Sequence, residues 1–335
     1  MKDIAHMLEL MNRPAFCVEG GVITAANREA LARQIPLGEK VESMLLTGAQ
    51  EYRSFSGGCL CVRLRCCDGI YDAQVSELEA GQIFTLEPES AGEELRLLAL
   101  TAQVLRNPLG DVLALAEELP EDADPERVAR IRRGLYQLLR IVSNLSMPWG
   151  LRLEMQDVDA VLREFCEKAG HACESRGVRL CYRGASRPVY SNLDAQMLTR
   201  AILNLLSNSL KFAADGGEIL MELSPGKTHY RISVRDYGSA SVAVPDPFTR
   251  YLREPGIEDG RTGMGLGLKL VQLVTAAHGG AVLIPRLEKG FQVVLSIPIN
   301  QDTQTRSPRY QLSYSGDRDA MLLELSDVLP PEFYK

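Results

Sequence analysis

Asn204, Asn208 and Lys211 stand at i, i+4 and i+7 within Asn204-Leu205-Leu206-Ser207-Asn208-Ser209-Leu210-Lys211-Phe212. That spacing puts two carboxamides and an ammonium on one face of a helix. Leu198, Ile202, Leu205, Leu206 and Leu210 cover most of the rest of the segment Asp194–Ala213. A polar stripe on an otherwise apolar helix has to be solvated, paired or bound. Two carboxamides and an ammonium suit a hydrated cation and phosphate oxygens. The alternative is the solvent-facing stripe of an ordinary amphipathic helix.

Two further motifs bear on that choice. Gly263-Met264-Gly265-Leu266-Gly267-Leu268 opens the segment Lys269 to His278, which ends at Gly279-Gly280. Glycines before a helix let the backbone approach a phosphate, and the helix N-terminus supplies free N–H groups and partial positive charge. Gly279-Gly280 is suited to the C-cap, and His278 before it is expected to stabilise the terminus when charged. Taken alone, such a glycine-rich turn also serves merely to join a lid to a helix. Between the two motifs, Val234-Arg235-Asp236-Tyr237-Gly238 is an apolar strand ending in Asp-x-Gly. The Asp236 carboxylate suits the exocyclic amine of a purine; otherwise Asp236 is a strand-end turn residue.

These residues need a scaffold, and the chain is long enough for two or three domains. It has 335 residues, with 45% hydrophobic and 24% charged, the balance of a water-soluble globular protein. A formal net charge of -7 gives no global attraction for nucleic acid or anionic membrane. No run approaches membrane-spanning length, and MKDIAHMLELMNRP lacks a signal-peptide pattern. The expectation is a cytoplasmic protein with no direct membrane span and no nucleic-acid partner. Its eight cysteines are then reduced. Cys59, Cys61, Cys66 and Cys67 lie in a stretch that alternates like a hairpin strand, and their spacing matches no usual zinc pattern. They read as buried small residues, with redox sensing at Cys66-Cys67 as the alternative.

The fold class expected is multidomain α+β. Residues 1–90 read as a β-rich module: strands Pro14–Val18 and Val22–Thr24 about a Glu19-Gly20-Gly21 turn, a short helix from Asn27, then strands Glu51–Ser56, Cys59–Cys66, Ile70–Glu77 and Gln82–Glu87. This order resembles a PAS domain, an α/β sensor; a small α+β dimerisation module is the alternative. Residues 91–150 read as a two-helix hairpin. Val128, Ile131, Leu135, Leu138, Val142 and Leu145 recur in a heptad-like pattern, as do Leu98, Ala102, Leu105, Leu109 and Val112 within a narrow sector. Two such seams are best buried in a homodimeric four-helix bundle. Arg127, Arg130, Arg132 and Arg133 read as a solvated face or a patch for an acidic partner. Residues 151–299 mix helices at Asp157–Ser175 and Asp194–Ala213 with strands at Arg179–Arg183, Glu218–Leu223, Tyr230–Asp236, Ala281–Pro285 and Phe291–Pro298. Ser239–Thr262 forms a lid-like irregular segment. The tail, 300–335, turns apolar at Met321-Leu322-Leu323-Glu324-Leu325 and docks back on the fold or meets a partner.

The order hairpin, Asn-Leu-Leu-x-Asn-x-x-Lys-Phe, Asp-x-Gly and Gly-x-Gly-Leu-Gly-Leu resembles a sensor histidine kinase over roughly Gly92 to Pro298. Its C-terminal part looks like the α/β-sandwich ATP-binding domain shared with type II topoisomerases and Hsp90-type chaperones. The resemblance implies ATP and Mg2+ as cofactors. Asn208 would ligate magnesium and Asn204 support it; Lys211 would approach the phosphates. Asp236, with Gly238, would take adenine, and Gly263, Gly265, Gly267 and Leu268 would wrap the triphosphate. Phe248 would belong to the mobile lid. It also implies a response regulator or a partner kinase as the protein partner.

The pattern breaks at two places. Asp236-Tyr237-Gly238-Ser239-Ala240 has alanine where the family has a second glycine. More severely, Gln103-Val104-Leu105-Arg106-Asn107-Pro108-Leu109 puts Gln103 where the phosphorylated histidine belongs and Val104 where the acidic base belongs. A carboxamide nitrogen is not a usable nucleophile, and valine cannot take a proton. His6, His171, His229 and His278 all lie outside the hairpin. The reading is a histidine-kinase-like protein that binds Mg-ATP without autophosphorylation. The alternatives are a kinase acting in trans on a partner and a non-enzymatic dimeric scaffold. A gyrase- or chaperone-type ATPase fits the nucleotide motifs but not the hairpin.

Overall fold

The computed structural model describes residues 2–78, 81–88, 92–119, 124–145, 151–213, 216–238, 266–301 and 319–334. In the N-terminal region, α1 (Lys2–Glu9) precedes the hairpin β1 (Ala15–Glu19) and β2 (Val22–Ala26). Asn27 caps α2 (Arg28–Ala32) by accepting from the Ala30 N–H. Asn27 Nδ2 also donates to the carbonyls of Leu8 and Arg13, tying α1 to the sheet. After α3 (Ala49–Arg53) come β3 (Cys59–Cys66), β4 (Gly69–Leu78) and β5 (Gly81–Pro88).

The segment expected as a strand at Glu51–Ser56 is instead within and after helix α3. Gly48, at φ +73°, starts it, and a side chain there would run into Val62. At five residues the helix is too short to display a 3.6-residue period.

Helices α4 (Gly92–Glu117) and α5 (Pro125–Leu145) pack against each other, and α4 continues through Pro108. Ala102, Leu113 and Ala116 of α4 and Ala129, Tyr136, Leu139 and Val142 of α5 are buried. The expected seams are therefore split. Leu105, Val112, Ile131 and Leu138 are exposed, whereas Ala102 and Val142 are buried. The apolar residues of each helix serve two faces, which the heptad count merges into one.

The remaining elements are β6 (Glu154–Asp157), α6 (Val158–Glu174), β7 (Arg179–Arg183), β8 (Tyr190–Leu193), α7 (Ala195–Phe212), β9 (Glu218–Pro225), β10 (His229–Asp236), α8 (Leu266–Ala277), β11 (Ala281–Ile284), β12 (Phe291–Pro298) and α9 (Ala320–Glu324). The small pair β6–β8 was missed from sequence, being two strands of four residues each. Leu162 and Phe165 of α6, Leu198, Ile202 and Leu206 of α7, and Val271 of α8 meet Ile219, Met221, Ile232 and Leu295 of the sheet in one core.

Among the described residues, ten strands form one sheet in the order β2-β1-β5-β4-β3-β11-β12-β10-β9-β7, antiparallel except for β7–β9. The N-terminal strands and those after residue 151, expected in separate domains, are thus continuous through β3 and β11. Cys61 pairs with Val282 and Cys59 with Ile284. The union satisfies two strand edges that would otherwise be open. Side chains reinforce it: Ser296 Oγ donates to the buried Glu51 carboxylate at 2.6 Å, and Lys269 Nζ donates to Glu87 at 2.7 Å.

Cys59, Cys61 and Cys66 are buried and Cys67 is exposed. Burial pushes the Cys66 thiol up to about 12 and that of Cys61 well above its ordinary range, so these thiols are not activated nucleophiles. No helix among the described residues is long and apolar enough to cross a membrane.

Candidate functional site

Helix α7 is anchored at its start. Asp194 accepts from the Met197 N–H at 3.0 Å and from the Arg152 N–H at 3.0 Å. The Asp194 N–H in turn donates to His278 Nε2 at 3.0 Å, while His278 Nδ1 lies 2.8 Å from the Val274 carbonyl. With Nε2 accepting, the imidazole is neutral with its proton on Nδ1. Burial pushes His278 below its ordinary value. The expectation of a charged His278 at the helix end is therefore corrected: it joins the end of α8 to the start of α7 as a neutral acceptor. Gly279 takes φ +75° and provides the C-cap conformation.

At the other end of α7, strand β10 delivers Asp236, 1% exposed. Its Oδ1 accepts from the Gly238 N–H at 3.1 Å. Burial raises the Asp236 carboxyl, opposed by the Gly238 N–H, the Ser209 hydroxyl and the Phe291 N–H. Gly238 sits so close to α7 that a Cβ there would overlap the Phe212 carbonyl oxygen. The first turn of α8 crosses the asparagines: a Cβ at Gly267 would lie 3.2 Å from Asn204 Oδ1 and 3.6 Å from Asn208 Nδ2. Leu268 is partly buried against the core. Asp236, Gly238, Asn204, Asn208 and Gly267 are thereby gathered around α7. Phe248, Gly263 and Gly265 lie outside the described residues.

The polar stripe does not face bulk solvent. Asn204 is fully buried; its Oδ1 accepts from Arg140 Nη2 at 3.3 Å, and its Nδ2 donates to the Arg200 carbonyl at 3.0 Å and to Glu324 at 3.3 Å. Lys211 Nζ donates to Asp327 Oδ2 at 2.9 Å. Asn208 is half-buried.

Sequence reasoning missed the groups that cover this stripe. Arg140 comes from α5; Glu324 and Asp327 come from the C-terminal segment. Glu324 is fully buried and accepts from Arg140 and Arg200, each at 3.3 Å. Asp327 also meets Arg140 at 2.6 Å. Burial alone would raise the Asp327 carboxyl, but Arg140 and Lys211 outweigh it and hold it below its ordinary range. A signal did exist: Arg200 and Glu324 are charges inside apolar runs, and such charges are rarely buried unless paired.

On the hairpin, Gln103 lies within α4, and Val104 is 73% exposed. Arg106 approaches Ser143 of α5 at 3.5 Å. Arg132 and Arg133, expected as a solvated face or an acidic-partner patch, donate to backbone carbonyls, among them those of Tyr334 and Ser326.

Residues 193–301 match the family of histidine kinase-, DNA gyrase B-, and HSP90-like ATPases. The chain is 29% identical over 232 residues to the sensor protein kinase PmrB of Pseudomonas aeruginosa, covering 64% of this chain and 48% of that protein. It is 27% identical over 215 residues to the sensor histidine kinase ZraS of Escherichia coli K12, covering 61% of this chain and 45% of the relative. The chain thus spans about half the length of the curated relatives it matches. Among solved structures, full-length ShkA in complex with AMPPNP is similar in fold, with 24% identity, a TM-score of 0.50, and coverage of 61% of this chain and 46% of that one. Residues 193–301 thus carry a domain of the histidine kinase-, DNA gyrase B-, and HSP90-like ATPase family, and the chain is similar to sensor histidine kinases over about three fifths of its length.

Proposed function

We propose that this protein is a histidine-kinase-like signalling protein that binds Mg-ATP and does not phosphorylate its own hairpin. The observation that carries the binding half is the gathering of Asp236, Gly238, Asn208 and Gly267 around one helix, from three separated motifs. The residues fit the nucleotide chemically. Asp236 is a buried acceptor at a strand end, suited to an exocyclic amine. Gly267 lies in the first turn of a twelve-residue helix, whose free N–H groups suit phosphate oxygens. Asn208 offers a carboxamide oxygen suited to Mg2+, with Asn204 behind it, and Lys211 is the nearby ammonium. Phe248, Gly263 and Gly265 complete the assignment from sequence.

The second half rests on Gln103 and Val104. With no imidazole at 103 and no carboxylate at 104, neither the nucleophile nor the proton acceptor for autophosphorylation is supplied. Output then passes through conformation, to a response regulator or a partner kinase. The sheet order β2-β1-β5-β4-β3 supports a PAS-like sensor at residues 1–90. Exposed apolar residues on α4 and α5 support a dimeric hairpin.

The test pairs binding with transfer. A fluorescent ATP analogue should bind the wild type in a Mg-dependent manner, and Asn208→Ala should abolish the metal dependence. Radiolabel from ATP should stay off the wild-type hairpin and reach it in Gln103→His, alone or with Val104→Glu. Label on the wild-type hairpin would refute the loss of autophosphorylation. Label on an added partner, lost in Asn208→Ala, would make the protein a kinase in trans. Absence of Mg-dependent binding would leave a scaffold.

A further inference from the structure

The C-terminal segment lies on the same side chains that the proposed function gives to nucleotide. Asp327 holds Lys211 at 2.9 Å, and Glu324 holds Asn204 at 3.3 Å. Arg140 bridges the two carboxylates and also reaches Asn204. A triphosphate offers what these donors already receive from the tail: anionic oxygens for an ammonium and a guanidinium fork. The tail is held independently of its charges. Leu323, Leu325, Leu329 and Tyr334 are buried, and Tyr136 of α5 packs on Tyr334 with ring centroids 5.1 Å apart. Arg133 and Gln137 of α5 donate to the Ser326 carbonyl at 3.0 and 3.2 Å. The segment therefore latches the hairpin helix α5 to the asparagine helix α7 while covering Lys211.

We propose that residues 319–334 are an internal competitor of the nucleotide phosphates. Asp327 occupies Lys211 in the latched state while Glu324 anchors the tail on Asn204, and phosphate binding displaces the Asp327 carboxylate and loosens the tail between α5 and α7. This rests on the ATP-binding reading above. Asp327 is the exchangeable contact, its side chain 29% exposed, whereas Glu324 at 0% is the anchor. Nucleotide occupancy and hairpin mobility are thereby coupled through the tail, because each partner can bind Lys211 only in the other's absence.

The experiment uses the full chain with a non-hydrolysable ATP analogue and Mg2+. Hydrogen exchange at 319–334 should rise on saturation. Asp327→Asn, which preserves shape, should bind the analogue about five-fold or more tightly, equivalent to about 1 kcal/mol. Glu332→Gln is the control, since it removes the same charge from an exposed position on the same segment, and it should leave affinity at the wild-type value. Analogue binding with unchanged tail exchange overturns the proposal and leaves the ATP-binding reading standing. Equal affinity of wild type and Asp327→Asn does the same, as does an equal gain in Glu332→Gln. Failure of wild type and Asp327→Asn alike to bind the analogue overturns both.

Discussion

Arg140 and Glu324 meet at 3.3 Å with side chains 9% and 0% exposed, so a residue of the hairpin and a residue of the last helix form a buried ion pair. Arg200 closes the cluster on the other carboxylate oxygen. Removing the carboxylate takes away the buried anion that Arg140 and Arg200 share, which is far worse than never having buried the pair. Glu324→Ala should therefore lower unfolding free energy by about 3–5 kcal/mol. Urea denaturation of the wild type and the variant measures it. A loss under about 1 kcal/mol, the range of exposed pairs, would mean that the tail is not seated here in solution.

Asp236 gives a prediction with a defined sign. Burial raises its carboxyl pKa in the folded chain. A raised carboxyl contributes stability that is fully present below the ordinary carboxylate value and is lost as pH rises through the raised one. Asp236→Asn keeps an oxygen for the Gly238 N–H and removes the buried charge. The stability difference, variant minus wild type, should grow in the variant's favour as pH rises through that window and then level off at neutral pH. Nucleotide affinity should fall in the same variant by about ten- to a hundred-fold, the worth of a hydrogen bond to a charged group. Thermal melts from pH 4 to 7, with one binding titration, separate the two effects. A variant less stable than wild type at neutral pH would contradict the assigned environment.

Much of the ATPase region was legible because its signals are local. Strands Arg179–Arg183 and Phe291–Pro298 match their expected bounds, and α7 lies one residue inside its expected limits at each end. Periodicity over eighteen residues and an Asp194 cap define that helix without tertiary help. What could not be read was long-range. Nothing local says that β3 pairs with β11, since any two edge strands of suitable length can join. Nor does a lone Glu324 in an apolar run name Arg140 and Arg200, which lie 184 and 124 residues away. In the hairpin the two helices were legible from their periodicity, but which apolar residues are buried was not: Ala102 and Val142 are buried while Leu105, Val112, Ile131 and Leu138 are exposed.

His278 should make the junction of α7 and α8 acid-sensitive. Its pKa is lowered from 6.5 because burial disfavours the imidazolium. The folded state then binds fewer protons than the unfolded state just below pH 6.5. Stability from this residue is complete above that value and is lost as pH falls below it. The slope attributable to it cannot exceed about 1.4 kcal/mol per pH unit, one proton's worth. His278→Gln should be less stable at pH 7.5, through imperfect replacement of the acceptor for the Asp194 N–H, yet flatter between pH 7 and 5. Parallel pH profiles for the two proteins would show that the imidazole titrates as freely as in the unfolded chain.

The outward face of the hairpin bears on assembly. Val104 is 73% exposed, Leu115 65%, Ile131 51% and Leu138 47%, with Leu105 and Val112 beside them. A helix pair with one buried seam has no internal use for a second apolar stripe, and a water-exposed stripe of this kind is unfavourable unless another surface covers it. The same stripe on a second copy is self-complementary about a two-fold axis, which makes a four-helix bundle the simplest cover. Ile131→Glu with Leu138→Glu puts charge into that interface and leaves the buried Ala129, Tyr136, Leu139 and Val142 of α5 intact. The double variant should run as a folded monomer by light scattering after size exclusion, with wild-type helical content, at concentrations where wild type is a dimer. Wild type eluting as a monomer at tens of micromolar would remove the bundle, and a double variant that remains dimeric would move the interface elsewhere.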